Sequence, residues 1–223
     1  MKKNFLFGLI GAGALILSGS VGFAAWTINA KNTINKDAGL GVSADGTIAD
    51  NRIKLDEKNS NFQTGFNSIA FVPVTNDKIT SPWLDANPLE SAEKLTIKYD
   101  LVVTGGANLA VSAEASIVDE GTDKKFTSLI TDGIIGKFPT ISAVSLTEDS
   151  SSKGTYKGTI EATFTWGTHF TSINSHVPVN PYTYYNEQAY IDSLADDAST
   201  NIAKLKEIYG YNGLKLKFTV SVK

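Results

Sequence analysis

The sequence predicts a mainly β protein: an antiparallel β-sandwich, jelly-roll or immunoglobulin-like, with a helical insertion before the last strand. Three observations carry that expectation. Apolar and polar residues alternate with a period of two in several separate stretches, the mark of strands with one face on a core and one in water. Gly- and Asp-rich turns link those stretches, as in sandwiches. Between Pro181 and Tyr209 the apolar period changes to three and four residues, which is helical.

Taken in order, the chain opens with Lys2 and Lys3, then a charge-free apolar run from Phe5 to Leu17, then small residues from Ser18 to Ala25. A positive start, a short apolar stretch and a small-residue exit describe a secretory signal peptide. Gly22 and Ala24 suit the positions three and one before a cut, so residues 1–24 are the expected leader. Ala25 is then the new N-terminus, and a cut after Ala25 is the neighbouring option. A retained anchor is the alternative, since Phe5 to Trp26 just reaches across about 30 Å of hydrocarbon. Its many Gly and Ser residues argue against a lasting span.

Residues 25–66 are polar and form an expected extended segment, in which Gly39–Ser43 and Thr47–Ile48 pair as edge strands. The main domain is expected over 67–223. Ser68–Val74 has the length of a strand, and Pro73, lacking an N–H, favours an edge or a strand end. Leu95, Ile97, Tyr99 and Leu101 share one face of the next strand. Leu109, Val111, Ala113, Ala115 and Ile117 repeat the pattern after Thr104-Gly105-Gly106, and Thr140 to Leu146 alternates again. Tyr156, Gly158, Ile160, Ala162, Phe164 and Trp166 make the longest example; Leu214, Leu216, Phe218, Val220 and Val222 close the chain. Phe164 and Phe218, mid-pattern, are expected to point inward. In the insertion, about 181–209, Asn180 before Pro181 reads as an N-cap with proline at the first helical position, and Gly210 as the stop.

Composition narrows the function classes. The formal net charge of −3 falls by two, to −5, once the leader takes Lys2 and Lys3 with it. A mildly acidic surface with Arg52 as its only arginine suits neither nucleic acid nor anionic lipid. Membrane contact is expected only through the leader. Without cysteine, thiol catalysis, thiolate–zinc sites and iron–sulfur clusters are excluded, and stability must come from the core.

Candidate sites are few. The densest aromatic cluster runs from Trp166 through His169 and Phe170 to Tyr182, Tyr184 and Tyr185. Two roles fit it: a stacking platform for sugar rings, or a seal between strand and helix. His169, His176 and Glu187 carry zinc-ligand chemistry, but their spacing is not that of a helical His-Glu-x-x-His site. The acidic loops at 45–51 and 119–123 offer oxygens to Ca²⁺ without the spacing of an EF-hand, and otherwise read as solvated turns. No Gly-x-Ser-x-Gly elbow occurs. No catalytic residue, metal site or cofactor is expected, and an enzyme is not.

The exit sequence Gly19-Ser20-Val21-Gly22-Phe23-Ala24-Ala25-Trp26-Thr27 resembles that of the TasA/camelysin family of Gram-positive bacteria, processed by a SipW-type signal peptidase. The resemblance covers the leader, the polar segment behind it and the plan of a β-sandwich interrupted by helices. It implies a secreted, cell-surface or extracellular-matrix protein that self-associates as a fibre or biofilm subunit, or associates with other matrix and cell-wall components. In such fibres the N-terminal segment of one subunit completes the sheet of the next. Here Trp26, Ile28 and Ala30 alternate with Thr27 and Asn29, so one face of such a strand enters a groove. Asn32 and Lys36-Asp37 would then supply the hinge. A ligand-binding surface module using the aromatic cluster is the alternative, and a secreted hydrolase a third.

Overall fold

The computed structural model describes residues 25–26, 40–66, 68–69, 95–179, 181, 184, 197, 200–201, 203–205, 207–208 and 210–223. The strands are β1 (Ala25–Trp26), β2 (Leu40–Ile48), β3 (Ile53–Leu55), β4 (Asn61–Phe62), β5 (Ser68–Ile69), β6 (Thr96–Gly105), β7 (Val111–Asp119), β8 (Val144–Glu148), β9 (Thr155–Thr163) and β10 (Leu214–Val222). One α-helix, α1 (Lys125–Thr131), follows β7, and a 3₁₀ turn spans Thr168–Phe170. The protein is mainly β, as the alternation predicts.

All ten strands join in one sheet, in the order β1-β2-β10-β7-β8-β9-β6-β3; β4 also pairs with β6, and β5 with β2. Every pairing is antiparallel except β2 with β10, which run parallel from Leu214↔Val42 to Val220↔Ile48. β2 and β3 sit towards opposite ends of this order, yet only residues 49–52 connect them. So short a link is possible only if the sheet curls round, and it is nearly closed into a barrel. β8 changes partner along its length, Val144–Leu146 lying on β7 and Thr147–Glu148 on β9.

Inside, Phe218 of β10 lies opposite Gly46 of β2 and Ala115 of β7. Its ring fills the space over Gly46, where a Cβ would stand 2.3 Å from Phe218 Cζ. Tyr99 of β6 meets Phe218 at 5.5 Å, and Phe62 stands edge-on to Tyr99 at 5.0 Å. Phe164 and Phe218 are both buried, at 1% and 3% exposure, as their places in the pattern predict. The Tyr99 hydroxyl is fully buried with no hydrogen-bond partner among the described residues, and burial pushes its pKa up.

Helix α1 packs Phe126 and Leu129 into the core, the Phe126 ring standing edge-on to Phe164 at 5.7 Å. Its start is held from the sheet. The nearly buried Asp119 carboxylate accepts the Thr127 N–H and hydroxyl at 3.1 Å, the Gly121 N–H at 3.1 Å and the Tyr211 hydroxyl at 2.6 Å. One carboxylate thus joins the end of β7, the helix and the approach to β10, its oxygens met as buried polar atoms require.

Several elements differ from the expectation. Residues 40–43 and 47–48 belong to a single strand, β2, lying inside the sheet between β10 and the outer β1 and β5, and residue 39 lies outside the described residues. Ala44 and Gly46 occupy inward positions, Phe218 filling the space over Gly46, and small residues hide the alternation. Of Thr140 to Leu146 only Val144 onward is strand. Leu109 precedes β7; its N–H donates to the Tyr156 hydroxyl at 2.8 Å. Of 68–74, only Ser68–Ile69 is described as strand, and 70–74 lie outside the described residues. Within 181–209, Pro181, Tyr184, Asp197, Thr200, Asn201 and Ala203–Leu205 are helical; most of the rest lies outside the described residues. No helix among the described residues is long and apolar enough to cross a membrane.

Candidate functional site

The sheet has one edge whose partners come from the start of the chain. β2 turns Leu40, Val42, Ala44, Gly46 and Ile48 inward, and on one side β10 pairs with it along seven residues. On its other side the described strands are short. β5 takes Leu40 and Gly41, and β1 takes Gly46 and Thr47 through Trp26↔Gly46 and Ala25↔Thr47. So Ala25 and Trp26 lie antiparallel to β2, at the outermost position of the sheet. Of the three residues expected to carry strand donation, Trp26 is placed here; Ile28 and Ala30 lie outside the described residues, as does Ala24 of the expected cleavage site.

The aromatic cluster lies at the exit of β9. Trp166 forms an isolated bridge with Ile135 and is only 7% exposed, its ring edge-on to Phe170 at 5.8 Å. Phe170 is fully buried and meets Tyr184 at 5.7 Å and His169 at 5.0 Å. A ring so enclosed has no open face for a sugar, so Trp166 seals the junction between β9 and the segment after α1. Gly167 permits the seal: a Cβ there would lie 1.8 Å from the Gly133 carbonyl oxygen, while its N–H donates to Ile134 O at 3.0 Å. Tyr182 and Tyr185 lie outside the described residues.

His169 is turned toward the helical segment, with Nε2 3.2 Å from an Asp197 carboxylate oxygen and 2.8 Å from the Asn201 amide nitrogen. His176 sits at the tip of the hairpin closed by Thr171↔Pro178, at φ 58°. Glu187 lies outside the described residues, and among those described no group of three His, Asp or Glu is placed to hold a metal ion.

Of the two acidic stretches, residues 45–48 belong to β2, and Asp50, Asp119 and Glu120 are engaged within the chain. Asp50 takes the Arg52 guanidinium at 2.7–3.2 Å on both carboxylate oxygens, which holds its pKa at about 2. Glu120 takes Lys215, at 2.8 Å, and Lys217, and is likewise held at about 2. Asp119 anchors α1 as described.

The pairing of β1 with β2 was not readable from sequence, because strand pairing is set by register across the fold. The small inward residues of β2 were the available signal. No family model, no curated protein and no solved structure matches the chain.

Proposed function

We propose that this protein is a secreted structural subunit of a cell-surface or extracellular matrix, assembling when the N-terminal strand of one copy occupies the β2 edge of the next. The observation that carries this reading is the antiparallel pairing of Ala25–Trp26 with Thr47–Gly46 at the outermost place in the sheet. Residues that become the N-terminus after cleavage behind Ala24 lie on the same edge that a neighbour would fill. Exchanging one's own terminal strand for a neighbour's leaves the contacts chemically identical, which is why swaps of this kind cost little. Thirteen residues separate Trp26 from Leu40, an extended reach of at most about 45 Å.

Energetics favour assembly that grows with concentration. Each main-chain hydrogen bond of a donated strand contributes about 0.5–1.5 kcal/mol net. Burying Trp26 and Ile28 adds about 1.5–3 kcal/mol each. Ordering the strand and fixing the partner oppose most of that gain. The resemblance of the leader exit to the TasA/camelysin family supports the same reading, with secretion through the signal peptide and self-association as the partner chemistry.

Two finer points of architecture belong to this proposal. We read the barrel as a flattened sandwich, β2-β10-β7 facing β9-β6-β3, with β8 turning the corner between them. We also read 181–209 as helical throughout, on its three-and-four spacing. Deleting Ala25 to Ile34 tests the function. The expected result is a folded monomer that forms no fibres under electron microscopy at concentrations where the chain from Ala25 does. Equal assembly by both forms, or by neither, refutes strand donation.

A further inference from the structure

On the outer face of β6 and β9, away from the β2 edge, lies an open cleft of about 800 Å³. Its floor is set by cross-strand register, Asp100 opposite Thr159 and Val102 opposite Lys157. One wall is the turn after β3, where Ser60 takes a strand's place: its hydroxyl donates to Val102 O at 3.1 Å and accepts the Val102 N–H at 2.9 Å. That wall presents Asp56 and Asn59. The other wall is the turn between β8 and β9, which presents Asp149.

The polar groups here are fixed in direction by the protein itself. Asp100 Oδ1 accepts from Thr159 Oγ1 at 2.7 Å and from Gln63 Nε2 at 2.9 Å. Asp56 accepts from the Asn59 side chain at 2.7 Å. Asp149 accepts from Lys157 at 2.5 Å and from the Ser151 hydroxyl at 2.6 Å, which keeps it ionised. A carboxylate has about four lone-pair sites, so each retains acceptor capacity beyond these bonds.

Charge and shape select the ligand. Three carboxylates against one lysine repel phosphates, sulfates and uronic acids. Leu101 and Val102 put apolar surface beside the polar groups, and the described acidic residues form no metal-binding group. Fixed acceptors alternate with amide, hydroxyl and ammonium donors, which suits a ligand whose every hydroxyl both gives and takes. We infer that the β6–β9 cleft is a binding site for a neutral polyhydroxylated ligand, a hexose-based oligosaccharide. The volume accommodates roughly two to three rings.

The site does not depend on strand donation, so it can be tested on the monomer. Wild-type protein is titrated with cellohexaose, maltohexaose and chitohexaose, and separately with octalysine, while backbone amides are followed by NMR. At least one hexasaccharide is expected to shift the amides of Asp100, Val102, Lys157 and Thr159. Asp100→Asn and Lys157→Ala, both on the outer face, should each weaken that binding about tenfold or more with amide spectra otherwise unchanged. Absence of shifts with every hexasaccharide at about 10 mM overturns the inference. So does sugar binding that both variants leave intact, or octalysine binding at these amides without sugar binding.

Discussion

The two sides of β10 are finished differently. On one side β7 pairs with it along nine residues, and β7 is covered in turn by β8. The corner beyond β7 is fastened by Asp119, and Glu120 holds Lys215 and Lys217 across it. On the other side β2 pairs along seven residues in parallel, and beyond β2 stand only the two-residue strands β1 and β5 among the described elements. A sheet finished by long antiparallel neighbours is complete within the chain. One finished by short terminal pieces leaves an edge, and it is this edge that the proposed assembly would use.

Phe218 serves both sides, so its loss should have the largest effect. Phe218→Ala is expected to cost about 3–5 kcal/mol, a large part of the roughly 5–15 kcal/mol typical of a domain, with no disulfide in reserve. Urea unfolding measures it, and an unresolved change would show that this ring does not carry the core. Next comes Gly46→Val, which places a branched side chain where Phe218 already sits and should cost about 1–3 kcal/mol. Hydrogen exchange sharpens the comparison: protection should fall on β2 more than on β7. Equal loss on both would mean that the two sides behave as one unit.

The smallest effect concerns the finished side. Glu120 is exposed, and Lys215 and Lys217 hold its pKa at about 2, below its ordinary 4.5. Its stabilisation is therefore complete above about pH 4.5 and lost as pH falls to about 2. Glu120→Gln should lower the melting temperature slightly at neutral pH, and the gap from wild type should close toward pH 2. A gap independent of pH would mean that the charge plays no part.

How much of this was legible follows from what sets each element. β6, β9 and β10 read directly, because apolar residues alternate with polar ones along most of their length. β2 read only as two short pieces, because Ala44 and Gly46 are small and the inward volume over Gly46 belongs to Phe218, from the other end of the chain. Helix α1 is short, rich in Thr and Ser, and stabilised by Asp119 on the preceding strand, so no local period announces it. The aromatic junction was visible as a cluster, but only the close approach of Gly167 to Gly133 decides that Trp166 is enclosed. For the cleft, the turn residues at 56–60 and 148–152 read as ordinary polar loops, since what brings them together is the register of β6 with β9.

The most direct test of strand donation uses the absence of cysteine. Ala25 and Thr47 are register partners, so two chains beginning at residue 25 are prepared, one with Ala25→Cys and one with Thr47→Cys. They are mixed and oxidised across a range of concentrations. Strand donation predicts a disulfide-linked heterodimer that joins residue 25 of one copy to residue 47 of the other, rising steeply with concentration. It is contradicted if the mixture yields no such heterodimer while the double variant, Ala25→Cys with Thr47→Cys, closes its disulfide within a single chain.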